Sequence, residues 1–95
     1  MINFDSSCEW SDAHLAVVTW ATDGDGVRYK ILVRGEALDE AYGTEATASE
    51  RLRAFVENRG TIEDRVRPKI DQRQVEREPE GIAPWQVVIL PSDLR

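Results

Sequence analysis

Leu15 to Thr22 and Val27 to Arg34 flank the segment Asp23-Gly24-Asp25-Gly26, and that arrangement specifies an antiparallel hairpin. Val27, Tyr29, Ile31 and Val33 alternate with Arg28, Lys30, Leu32 and Arg34 at the period of a strand. A tight turn at Gly24 and Asp25, where positive backbone angles are sterically accessible, sets Trp20 opposite Tyr29, Val18 opposite Ile31 and Ala16 opposite Val33. That register turns all six side chains to one inner face. Leu15, Val17 and Leu32 then share the other face with Thr19, Lys30 and Arg34, so both sides of the sheet carry apolar groups.

At 95 residues the chain has room for one domain, 1–95, and one modest core. Twelve Lys and Arg against eighteen Asp and Glu leave a net charge of -6, which repels nucleic acid and anionic membranes at long range. Cys8 is the single cysteine and cannot form an internal disulfide, and the N-terminal residues lack the basic and then apolar pattern of a secretory signal. Apolar runs such as Val87 to Leu90 fall far short of a membrane span. The expectation is a soluble, cytoplasmic protein.

Ile2 to Phe4 reads as a short first strand, followed by a loop or single helical turn through Asp5-Ser6-Ser7-Cys8-Glu9. After the hairpin, Ala37, Leu38, Ala41 and Tyr42 lie at helical spacing and Gly43 supplies a stop. Thr47 and Glu50 have capping-box spacing ahead of Ala48, Leu52, Phe55 and Val56, predicting a second helix over 47–58. Gly60 is expected to break it. Thr61 and Asp64 can cap a third helix in which Ile62, Val66 and Ile70 recur every four residues, with a kink near 64–67 or a restart at Pro68. Residues 76–81, with Pro79, read as a charged connector, and Trp85 to Leu90 as the final strand between Pro84 and Pro91.

Ile2-Asn3-Phe4 with Trp10, the opener Gly35-Glu36-Ala37-Leu38, and the run Leu52, Phe55, Arg59 and Ile62 resemble a small bacterial family known as domain of unknown function 1488. The likeness runs from residue 1 to about residue 70 and more loosely through the last strand. It implies a single small α+β domain of bacterial, cytoplasmic type and attaches no activity to it.

Asp23-Gly24-Asp25-Gly26 invites a calcium-loop reading, but aligning Gly26 with the loop's glycine leaves Ala21 and Leu32 at two essential ligand positions. A hairpin turn accounts for these residues. With one histidine, His14, and one thiol, neither a zinc site nor a histidine-based nucleophilic dyad has its usual complement; His14 is placed beside Asp12 at the start of the second strand. No nucleophile elbow, phosphate loop or dinucleotide fingerprint is present, so no catalytic, cofactor or metal residues are assigned. Arg65, Lys69, Arg73 and Arg77 recur every four residues, a basic stripe interleaved with Glu63, Asp64, Asp71 and Glu76. Trp20 and Trp85 read as packing, and Trp10 as the tryptophan available to a ligand surface.

The fold expected is α+β, a mostly antiparallel sheet of about four strands with three helices on one face, in the order β-β-β-α-α-α-β. One helical layer covers one face of so small a sheet. Leu15, Val17, Leu32, Val88 and Leu90 then form a candidate interaction surface on the other. Burying each is worth roughly 1.5 to 3 kcal/mol. The function this suggests is a non-enzymatic interaction or regulatory module without cofactor, docking an unknown protein or a second copy of itself as a homodimer. The alternative is a nucleic-acid-binding accessory protein using the basic stripe.

Overall fold

The computed structural model describes residues 1–72, 76–77 and 85–95. Two short strands, β1 (Asn3–Phe4) and β2 (Glu9–Ser11), precede the long pair β3 (Ala16–Thr22) and β4 (Arg28–Arg34). The hairpin loop holds three residues rather than two. The Asp23 N–H donates to the Val27 carbonyl at 3.0 Å and the Gly26 N–H to the Asp23 carbonyl at 3.1 Å, leaving Gly24-Asp25-Gly26 between them. Asp23 Oδ1 accepts further bonds from the N–H groups of Asp25 and Val27, and Gly26 is left-handed at φ 82°. A turn followed by a left-handed residue is the usual three-residue hairpin loop, and glycine suits its last position because it has no Cβ to clash.

That extra loop residue moves the register by one. Trp20 is opposite Lys30, Val18 opposite Leu32 and Ala16 opposite Arg34, while Ala21 faces Tyr29 and Val17 faces Val33. Because successive strand residues alternate faces, a one-residue slip turns a whole strand over. The expected Trp20–Tyr29 pair is therefore corrected: the two side chains lie on opposite faces. Val17, Thr19 and Ala21 join Tyr29, Ile31 and Val33 on the helix side, in place of Ala16, Val18 and Trp20.

With β5 (Glu76–Arg77) and β6 (Trp85–Ile89), the sheet runs in the order β1-β3-β4-β6-β5, with β2 also paired to β3. It is mixed, because β6 pairs parallel with β4 whereas the other pairings are antiparallel. Two short strands escaped the sequence reading. β2 lies at the end of the presumed loop, and β5 interrupts the presumed connector; the rest of that connector, 78–81, lies outside the described residues.

Helix α1 (Gly35–Tyr42) ends at Gly43, whose φ is 65° and whose N–H donates to the Asp39 carbonyl. Helix α2 (Ala48–Glu57) starts as expected, with the Thr47 side chain accepting from the Glu50 N–H. Gly60 does not end it. The break falls at Asn58, whose N–H and side-chain amide both turn back to the Ala54 carbonyl, and Gly60 lies within α3 (Arg59–Asp71). Pro68 is also inside α3, without a restart; so near the helix end it removes only the bond to the Asp64 carbonyl.

Leu38 of α1, Phe55 of α2 and Ile62, Val66 and Ile70 of α3 pack on Val17, Tyr29, Ile31, Val33, Val87 and Ile89 of the sheet. Val56, expected on the apolar stripe of α2, is 56% exposed instead. A second, smaller cluster of Ala16, Val18 and Leu32, with Val88 against it, draws on strand residues alone.

Candidate functional site

The smaller cluster occupies the sheet face turned away from the helices. Its centre is a row across three strands, Val18, Leu32 and Val88, held side by side by the β3–β4 and β4–β6 registers, with Glu9 of β2 next in the row beside Val18. The next row runs Trp20, Lys30 and Gln86, and on the other side of Leu32 lie Ala16 and Arg34. Leu32 is only 6% exposed although it lies on the face turned away from the helices, and Ala16 at 0% and Val18 at 7% are buried with it. A notch of about 210 Å³ opens at one edge of this face, lined by Ser7, Cys8, Glu9, Val18 and Trp20.

Of the five residues assigned to this surface from sequence, the structure brings Leu32 and Val88 together. Val17 lies on the opposite side, fully buried in the main core, as the register shift requires. Leu15 sits at the β2–β3 turn, 56% exposed and left-handed at φ 51°, and its carbonyl accepts the Gly35 N–H. Leu90 follows β6 at 44% exposure, its N–H bound by Asp93 Oδ2. Ala16, Val18 and Trp20 belong to this face and were assigned to the other; the signal that could have placed them is the length of the hairpin loop.

Several other polar groups have structural partners. His14 bonds Ser11 rather than lying with Asp12: its Nδ1 is 2.9 Å from Ser11 Oγ and its N–H donates to the same oxygen, closing the β2–β3 turn. Asp12 accepts from Trp10 Nε1 instead, and the Arg51 guanidinium stands 5.1 Å from the Trp10 ring. Arg28 pairs with Asp5 at 3.0 Å and lies over Trp20; the Arg28 hydrogen bond holds the Asp5 carboxyl below its ordinary value. Arg59 reaches from α3 to the carbonyls of Asp5 and Ser6, tying the first loop down.

A cleft of about 340 Å³ beside the hairpin is bordered by Asp23, Asp25, Tyr29 and Asp71, but both oxygens of Asp23 already accept hydrogen bonds, from backbone N–H groups and from the Tyr29 hydroxyl. Among the described residues no three His, Cys, Asp or Glu side chains are grouped to hold a metal ion, and no helix is long and apolar enough to cross a membrane. In the basic stripe, Lys69 is held by Asp93 at 3.1 Å and by the Val88 carbonyl. Arg73 and the Arg77 side chain lie outside the described residues.

A small mixed sheet with one helical layer and a partly apolar, cation-bordered outer face is thus the class of protein defined here. The model of the family described as protein of unknown function DUF1488 matches residues 2–79, and the chain belongs to that family. The match extends through β5 and stops short of β6. No curated protein and no solved structure matches the chain.

Proposed function

We propose that this chain is a non-enzymatic interaction module whose working surface is the outer face of the sheet. The observation that carries the reading is the second apolar cluster, built by β3, β4 and β6 without any helical member. With the aliphatic cluster itself buried, what the face offers a partner polypeptide is half-buried Trp20 and Val88, the flanking Lys30 and Arg34, and a notch for an anchoring side chain. Nucleic acid gripped by α3 finds less support, since Lys69 is committed to Asp93.

Site-specific photocrosslinking in the native cell tests this. A photoreactive phenylalanine analogue replacing Lys30 should give a discrete adduct that Leu32→Lys abolishes, whereas the same probe at Val56, on the exposed side of α2, should not. Identical adducts from both positions, or none from Lys30, would remove the outer face as a docking surface. Retained circular dichroism of Leu32→Lys shows that the loss is one of contact rather than of fold.

A further inference from the structure

The charges on the outer face indicate what kind of polypeptide it takes. The chain has eighteen acidic and twelve basic residues, yet the three central strands, Ala16–Thr22, Arg28–Arg34 and Trp85–Ile89, contain three cations and no acid. All three cations project outward, because their strand neighbours Tyr29, Ile31 and Val33 point into the main core. Arg28 is neutralised by Asp5. Lys30 has no ion-pair partner among the described residues. The carboxylate nearest Arg34 is Glu36, at 3.8 Å from an Nε that is shut off from solvent without a hydrogen bond. Two incompletely compensated cations therefore bracket Leu32, each roughly 7 Å from it along β4.

We infer that the outer face binds an acidic, apolar segment of another protein. One large apolar side chain of the segment enters the notch lined by Ser7, Cys8, Glu9, Val18 and Trp20, where the Glu9 carboxylate, on β2, is separated from the β4 cations by β3. The segment's neighbouring residues lie on half-buried Val88, and its carboxylates meet Lys30 and Arg34. This rests on the docking role proposed above and adds the partner's chemistry.

A second copy of the chain fits less well. A two-fold axis passing over Leu32, whether along the strands or across them, sets Lys30 or Arg34 of one copy against Lys30 or Arg34 of the other. Such like-charge contacts oppose association. Nucleic acid would offer the needed negative charge, but Trp20 is the one aromatic ring these strands present outward and Arg28 already covers it, while the net charge of -6 repels a polyanion.

Selection of short random peptides displayed on phage against the full chain tests the inference. Enriched sequences should combine Asp or Glu with Leu, Phe or Trp. Their synthetic forms should bind the Lys30→Glu/Arg34→Glu variant about tenfold or more weakly, and weaken as salt rises. Both positions are partly solvent-facing, so that variant should stay folded, which its melting curve checks. Enriched peptides without acidic bias, or binding that ignores the charge reversal yet is lost in Leu32→Lys, would overturn the acidic partner and leave the docking surface standing. Absence of any enrichment would overturn both. A wild-type dimer in sedimentation that Leu32→Lys dissolves, or single-stranded DNA retarded by wild type and released by the charge reversal, would replace the acidic segment with a second copy or with nucleic acid.

Discussion

Arg51 packs so closely on Gly35 that a Cβ added at position 35 would lie 2.7 Å from the Arg51 Cζ. The guanidinium cannot simply swing aside. Its Nε and Nη2 bind the two oxygens of Asp39, at 3.0 and 2.5 Å, and the Trp10 ring lies nearby. The first residue of α1 is thus glycine because a side chain of α2 occupies the space a Cβ would need. Gly35→Ala should lower stability in the wild type, but in an Arg51→Ala background it should be neutral or favourable, since alanine exceeds glycine in helix propensity by about 1 kcal/mol. A double-mutant cycle in urea should give a coupling of about 0.5 to 3 kcal/mol. Additive effects would contradict the contact.

The Asp39–Arg51 pair also predicts a pH dependence. The Arg51 hydrogen bonds hold the Asp39 carboxyl below its ordinary value of 3.8, against an opposing effect of burial and with help from the Thr44 hydroxyl. A carboxyl whose folded pKa is depressed contributes stability that is complete above the unfolded value and is lost as pH falls through the folded one. Asp39→Asn should cost about 1.5 to 3 kcal/mol near neutrality. That gap should shrink when denaturation is repeated in acid below the ordinary value, and a gap of constant size would show that the charge on Asp39 is not what matters.

The hairpin loop depends on one carboxylate. Asp23→Ala removes the acceptor for two backbone N–H groups and the Tyr29 hydroxyl, and should cost about 1 to 3 kcal/mol. Gly26→Ala, at φ 82°, should cost about 1 to 2 kcal/mol. With both Asp23 oxygens already engaged, added calcium should leave the melting temperature unchanged, because a ligand that binds the folded state alone must raise it.

Phe55 and Val56 are adjacent on α2 and should respond in opposite ways. Phe55 is 1% exposed in the main core, so Phe55→Ala should cost about 3 to 5 kcal/mol. Val56→Ala, at an exposed position, should fall within about 0.5 kcal/mol of wild type. Denaturant midpoints decide both, and equal losses would mean that α2 is turned differently on the sheet.

The helices were legible where their signals are local. Gly43 as a stop, Thr47 as the cap of α2, and Ile62, Val66 and Ile70 as a buried stripe sit as their spacing indicates, while the Glu50 carboxylate accepts from Arg53 instead of completing a capping box. Strand β4 was legible because its alternation is unambiguous. Strand β3 was not, since Ala16 and Val18 on one parity and Val17 and Ala21 on the other are all apolar, leaving loop length to choose between them. Asp23-Gly24-Asp25-Gly26 satisfies the chemistry of either loop. The same ambiguity divides the candidate surface: Leu32 and Val88 were found through β4 and β6, whereas Val18 and Trp20 depend on the register of β3. Strand β2 has only three residues, too few for an alternating pattern to show, although the β3 residues it pairs with follow closely in the sequence.

The parallel pairing of β4 with β6 bears on how the chain is made. β4 has completed its hairpin with β3 by the time Arg34 leaves the ribosome, but its second edge waits for Trp85–Ile89, which are synthesised only after all three helices. At about 5 to 20 residues per second, that edge stays unpaired for several seconds. Over that interval it is a hydrogen-bonding template for any other nascent chain, and three of the four side chains on its outer face, all but Leu32, are cations. Arg28, Lys30 and Arg34 therefore do for the unfinished protein what lysines do on permanent edge strands, keeping neighbours off until the right strand arrives.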